Sequence, residues 1–407
     1  MKILHLSTTD VKGGAGIAAY RLHKGLIDAG VISEIFVQRK YGAANDVFSS
    51  ESIRGKSFDF FCAGADKIVS KVFGPKSEEI TSPALFASMD LRIIDKMNPD
   101  IVHIHWICGG FLSPEKIAKI KKPIVWTMHD MWPFSGAKHY NSGDRSYING
   151  DFSHNNVLDR WTWERKKRAW NGLTITGVSP SAWLEHEAKA SYLFKEKTVD
   201  RIPNGINVDI FKKGDMLSCR KRFNLPLDKK LILFGAVDPL SGERKGYKLL
   251  LDVISELSRS DIGKNVALVI FGSNDDHRVN FGLPTYFTGK LSSEEDLAAI
   301  YSAADIFVAP SKEDNLPNTV IESMSCGTPV AAFHIGGMPD MIDDKINGIM
   351  VPPFENKTMA KEIISLLSNE DCHARLSDGA RKKVLEKFDI RLIVKKYSQL
   401  YNSVLHP

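Results

Sequence analysis

"DIFVAPSKEDNLPNTVIESMSCGTPVAAF" (residues 305–333) places two short apolar runs, 305–310 and 329–333, around a polar turn and a helical pattern. Runs this apolar suit strands buried on both faces, which means a parallel sheet covered by helices. The turn carries Asp314, and Glu322 follows in the first turns of the helix. The dipole stabilises a carboxylate there by roughly 0.3–1 kcal/mol. An ionised carboxylate only accepts hydrogen bonds, whereas vicinal hydroxyls are paired donors. Two acids on either side of an exposed turn therefore suit a polyol such as ribose or a hexose. The amides around Asn315 and Leu316 are expected near an anion at the helix N-terminus.

Similar strands recur on both sides of this stretch. "KILHLS" (2–7), "SEIFVQ" (33–38), "IVHIHW" (101–106), "PIVWTM" (123–128) and "LTITGVS" (173–179) precede a Pro-, Gly- and Asn-containing pause at 200–215. "LILFGA" (231–236) and "VALVIFG" (266–272) then restart the series. Strands alternating with helical patterns predict an α/β protein of two Rossmann-like domains, spanning 1–202 and 203–387. A chain of 407 residues is long enough for both.

Hydrophobic content of 43% and charged content of 25% describe an ordinary globular protein, and a net charge of +5 does not single out nucleic acid. Five cysteines lie far apart with no CxxC pair, arguing against a disulfide frame or a zinc site. The run "MKILHLSTTD" is too short and polar for a secretion signal, and no later stretch reaches a membrane-spanning length. The expectation is a cytoplasmic protein, with contact at the inner face of a membrane left open.

Other stretches carry possible chemistry. "DVKGGAGIAAYRL" offers Gly13, Gly14 and Gly16 between a strand and a helix, where amides approach a ligand closely. The glycines stand in the wrong order and too far past the strand for a dinucleotide fingerprint, which counts against a nicotinamide oxidoreductase. His129 opens "HDMWPFSG" just beyond a parallel strand, where open α/β sheets place ligands. His103 and His105 read as satisfied core histidines. Arg244 and Lys245 beside Gly246 can neutralise a diphosphate, or form a solvated basic turn. In "SFDFFCAGADKIVSKVF", Phe58, Phe61, Cys62, Ala65, Val69, Val72 and Phe73 form one stripe. The adopted reading packs that stripe on the core. The alternative is an interfacial helix on anionic lipid, with Lys67 and Lys71 at the headgroups.

Across nearly its whole length the chain resembles the GT-B glycosyltransferases of family 4. The likeness rests on "GGAG" (13–16), "TMHDMWPFSG" (127–136), "SPSAWL" (179–184), "IPNGINVDIF" (202–211), "RKG" (244–246), "DNLPNTVIESMSCGTPV" (314–330), "GGMPDMI" (336–342) and "NGIMV" (347–351). It implies two Rossmann-like domains facing across a cleft, with the helix at 388–407 returning to the first. It further implies a retaining transfer of a hexose from a UDP- or GDP-linked donor to a glycan or lipid-linked glycan in polysaccharide biosynthesis, without a metal or other cofactor. By similarity Glu322 binds the ribose and Asp314 holds sugar hydroxyls. Arg244 and Lys245 clamp the diphosphate, Asn315 and Leu316 lie beside it, and His129 contacts the sugar near the reacting carbon. Gly13 and Gly14 approach the donor phosphate or the acceptor. The chain departs from the family pattern in having Asp314 where glutamate is usual and Ala236 where an arginine is usual. The segment after "HDMWPFSG" lacks the cysteines of close relatives. The alternatives are a GT-B nucleotide-sugar epimerase or hydrolase and a non-catalytic sugar-binding scaffold.

Overall fold

The computed structural model describes residues 1–50, 52–75, 80–235, 243–272 and 280–406. The chain divides into two compact units, residues 1–205 with 390–407, and residues 206–389. In the first unit, β1 (Lys2–Thr9), β2 (Ile32–Arg39), β3 (Val47–Phe48), β4 (Ile101–Ile104), β5 (Ile124–Thr127), β6 (Thr176–Ser179) and β7 (Val199–Arg201) form a sheet. Its order is β3-β2-β1-β4-β5-β6-β7, and every pairing is parallel. The second unit contains β8 (Lys230–Gly235), β9 (Val266–Phe271), β10 (Thr285–Gly289), β11 (Ile306–Ala309), β12 (Val330–Phe333) and β13 (Gly348–Val351), again all parallel, in the order β10-β9-β8-β11-β12-β13.

Both orders reverse once, between β1 and β4 and between β8 and β11. Such a doubly wound sheet is Rossmann-like, and its ligands sit beyond the strand C-termini at the reversal. All nine strands expected from apolar runs form. The four that escaped, β3, β7, β10 and β13, are two residues long, charged, half-buried or opened by glycine. None presents a continuous apolar run.

The helix Ile390–Leu405 belongs to the first unit. Ile393, Val394, Tyr397, Leu400 and Tyr401 pack in one apolar cluster with Ile3, Leu22, Leu26, Ile101 and Val125. Gly205 gives way to it: a Cβ there would lie 2.5 Å from Ile390 Cδ1.

The phenylalanine-rich helix corrects one expectation. It spans Ile53–Phe73, and its buried side chains are Asp59, Cys62 and Asp66, not the phenylalanines. Phe58, Phe60, Phe61, Ile68, Val72 and Phe73 are exposed, Phe60 at 79%. The helix docks through a narrow i, i+3, i+7 stripe. Asp66 accepts from Leu85 N at 3.0 Å, and the Cys62 backbone lies against Gly110, where a Cβ would come within 2.5 Å. Periodicity located an apolar stripe but could not show that only its Cys62 flank makes the contact.

Candidate functional site

In the second unit, the basic turn and the acidic loop follow β8 and β11, the neighbouring strands at the sheet reversal. Gly246 has φ +73°, and a Cβ on it would lie 1.8 Å from Pro310 O, so only glycine allows this approach. Lys312 N donates to Arg244 O at 2.8 Å, and Arg244 Nη1 donates to Glu313 O at 2.8 Å. The two loops are thus tied by one backbone–backbone bond and one from the Arg244 side chain. Lys245 Nζ then reaches Asp314 Oδ2 at 2.7 Å, with Arg244 Nη1 at 3.3 Å. Burial opposes ionisation of Asp314, but Lys245 and Arg244 outweigh it and hold its pKa below the usual carboxylate range. Gly337 N donates to Asp314 O at 3.1 Å, and Gly336 leaves no room for a Cβ beside that carbonyl.

Glu322 lies in the helix Asn318–Ser325 and is buried. Tyr301 donates its hydroxyl to Glu322 Oε2 at 2.9 Å. Asn315 and Leu316 are buried in the turn between the acids. The structure therefore brings together Arg244, Lys245 and Asp314, with Asn315 and Leu316 adjoining in sequence. The cations expected to clamp a diphosphate pair with the aspartate. Ala236 lies outside the described residues.

In the first unit, Gly13 and Gly14 are exposed at the start of the helix Gly13–Asp28. The tight approach belongs to Gly16 instead, where a Cβ would lie 2.5 Å from Thr9 Oγ1. His129, half-buried, follows β5 and shares a hydrogen bond of 3.1 Å between its Nε2 and His105 Nδ1. His105 Nε2 in turn meets His5 Nδ1 at 3.0 Å. His103 spends its two nitrogens on Tyr401 and Thr127, each at 2.7 Å. Burial lowers the pKa of all four, His129 to about 4 and His103 to about 3, which keeps the imidazoles neutral at pH 7.

His5, His103 and His105 each offer a nitrogen within 4.8 Å of the others, a spacing open to a metal ion. The existing partners of His103 and His105 fit a hydrogen-bond network better than a vacant ligand set. His103 and His105 are thus both buried with both ring nitrogens hydrogen-bonded, as expected, while His5 was not singled out. His5 and His103 are register partners on adjacent strands, a pairing that neither "KILHLS" nor "IVHIHW" discloses separately.

The loop carrying His129 is lashed down. Lys166 is fully buried and donates to the carbonyls of Trp132, Ser135 and Gly136. Asp130 accepts from Trp132 N at 3.0 Å and pairs with His139 Nδ1 at 2.6 Å. The signal for Lys166, one of two adjacent lysines in "WERKKRAW", was indistinguishable from its neighbours.

Comparison with known proteins places these features in context. A family model described as "Glycosyltransferase Family 4" matches residues 12–210, and one described as "Glycosyl transferases group 1" matches residues 228–369. The chain is 24% identical over 378 residues to the N-acetyl-alpha-D-glucosaminyl L-malate synthase of Bacillus anthracis, covering 86% of this chain and 90% of that protein. It is 28% identical over 375 residues to a D-inositol 3-phosphate glycosyltransferase of Segniliparus rotundus, covering 88% and 77%. Its fold resembles the sucrose-phosphate synthase of Thermosynechococcus elongatus, with a TM-score of 0.69 at 18% identity over the full length of both chains. It also resembles HepE of Anabaena, solved with UDP and glucose, with a TM-score of 0.66 at 16% identity over 99% and 100% of the chains.

Proposed function

Because the chain belongs to glycosyltransferase family 4, whose members are transferases, we propose that it moves a hexose with retention from a nucleoside-diphosphate sugar to a glycan or lipid-linked glycan. The donor is UDP- or GDP-linked. The observation carrying this reading is the hydrogen-bonded pair of loops that sets Arg244 and Lys245 against Asp314 at the reversal of the second sheet.

The diphosphate draws the two cations, which offset the charge that develops as it leaves. Two protein cations fill the role a divalent ion plays elsewhere, so the reaction proceeds without a metal. Glu322, an acceptor on a buried helix, takes ribose hydroxyls, and Asp314 takes hydroxyls of the transferred sugar. The UDP and glucose bound to HepE support a nucleotide-sugar donor. His129 and the glycines at 13 and 14 serve the sugar and the acceptor.

A panel of UDP- and GDP-sugars, screened by thermal shift and then by transfer assay, tests the proposal. An α-linked product from an α-linked donor is expected. An inverted linkage removes the retaining assignment, and donor turnover without acceptor favours the epimerase or hydrolase.

The helix Ile53–Phe73 supports peripheral membrane contact. Its exposed charges are Arg54, Lys56, Lys67 and Lys71, while Asp59 and Asp66 are buried. A basic surface studded with phenylalanines suits an anionic bilayer. Among the described residues no helix is long and apolar enough to cross a membrane. Co-sedimentation with phosphatidylglycerol vesicles is expected to fall when Phe60 and Phe61 become serine; binding indifferent to lipid charge and to these changes removes the proposal.

A further inference from the structure

The helix Val157–Ala169 sets two opposite charges against one loop. Asp159 and Lys166 lie about two turns apart on one face of it, and they are 1% and 0% exposed. The loop they meet is 132–138, which follows His129. Lys166 Nζ donates to the carbonyls of Trp132, Ser135 and Gly136, the last two at 3.1 and 2.7 Å. Asp159 Oδ1 accepts from Ala137 N at 2.5 Å and from Lys138 N at 3.2 Å. The cation thus takes the loop's carbonyls and the anion its amides. Lys166 Nζ also lies 3.6 Å from the centre of the Trp132 ring, whose indole N–H is spent on Ser82 O.

This grip needs the ammonium and not merely the side chain. An ammonium has three N–H donors for three carbonyls, whereas a neutral amine has two and a lone pair. Deprotonation would turn that lone pair on a buried carbonyl and end the attraction to the Trp132 ring. The surroundings leave Lys166 close to that point. Burial lowers its pKa from 10.5 to about 7. Asp159 and Asp130 oppose the fall, Arg165 adds to it, and Cys108 faces the amine as a thiol that burial keeps protonated.

We propose that Lys166 and Asp159 are positioning residues for transfer, which together hold the loop after His129 in the shape the reaction uses and do so only while Lys166 is charged. The proposal rests on the reading of His129 and its loop as part of the sugar site. The sign of the pH effects separates it from a plain structural role. The unfolded chain keeps this proton to about pH 10.5, and the folded protein releases it near 7. The contribution of Lys166 to stability therefore rises between those values. Activity should fall over the range in which that contribution grows.

Transfer kinetics and backbone amide spectra of the labelled full chain, each followed from about pH 6 to 9, test it. At saturating donor, kcat should fall about tenfold above pH 7 with donor KM unchanged. The amides of Trp132, Phe134, Ser135 and Gly136 should shift over the same range, with no matching loss in urea unfolding. Asp159→Asn keeps an oxygen for the two amides but removes an anion near the ammonium, so its fall in kcat should begin at lower pH. Lys166→Met should stay at the alkaline level of kcat at every pH; where that variant fails to fold, the wild-type and Asp159→Asn profiles decide. Loop amides that ignore the titration overturn the proposal, and so does a kcat profile identical in wild type and Asp159→Asn. If the amides shift as expected while kcat stays flat and His129→Ala turns over like wild type, the sugar-site reading fails and the grip on the loop stands.

Discussion

Lys245 Nζ lies 2.7 Å from Asp314 Oδ2, so the cation expected to bind phosphate is occupied by a carboxylate from the neighbouring loop. In the proposed function, a diphosphate entering here would compete with Asp314 for the same charge. In the same proposal, the released aspartate would accept from sugar hydroxyls, which would couple phosphate binding to sugar recognition.

Asp314→Asn should therefore separate two effects. The free nucleoside diphosphate should bind at least as tightly as to wild type, because Lys245 and Arg244 lose an internal competitor. Transfer should fall about 10- to 100-fold, since hydrogen bonds to a charged group contribute about 1.5–3 kcal/mol. Calorimetric titration beside a transfer assay reads both. A fall in nucleotide affinity equal to the fall in transfer would remove the competition.

Glu322 and Tyr301 form a second testable pair. Glu322→Gln keeps the shape and the link to the tyrosine hydroxyl, but weakens acceptance of ribose hydroxyls. Donor KM should rise about tenfold with the melting temperature little changed. Tyr301→Phe should have a smaller effect in the same direction, and the double variant should be less than additive. Wild-type donor kinetics in Glu322→Gln would remove the ribose assignment.

Gly246→Ala should act through the backbone. The left-handed φ and the Pro310 carbonyl both oppose a Cβ, and the combined cost is about 3 kcal/mol. Urea unfolding should show the loss, and nucleotide binding should weaken as the turn carrying Arg244 and Lys245 shifts. A variant as stable as wild type would show that the two loops part easily.

Asp66 gives a pH signature to the exposed helix. Burial, opposed by backbone amides at 84–86, raises its pKa from 3.8 to about 6. The folded state thus binds this proton more tightly than the unfolded state. The stability that Asp66 contributes is therefore fully present below about pH 4, is lost as pH rises through 6, and is absent above. Asp66→Asn should be flatter than wild type between pH 4 and 6, by at most about 3 kcal/mol in unfolding free energy. Parallel curves for the two proteins would contradict the buried, partly protonated carboxyl.

Strands buried on both faces announced themselves in the sequence, and so did the loops that follow them. That is why the two sheets and the acidic turn are legible in the sequence. The Gly246–Pro310 contact was not, because it depends on a left-handed glycine meeting a carbonyl more than sixty residues away in the chain. The phenylalanine helix misled because a helical stripe reports periodicity and not which edge is covered. Lys166 and His5 were hidden for a related reason: a buried polar side chain looks like any other until its acceptors are placed around it.

The helix Ile390–Leu405 completes a unit whose other residues were all made before position 206. During synthesis, His103 waits for Tyr401, almost three hundred residues downstream, while the whole second unit leaves the ribosome and can fold first. A nascent chain stalled at residue 389 would leave Ile3, Leu22 and Val125 uncovered, a sticky surface that invites chaperones until translation reaches the last helix.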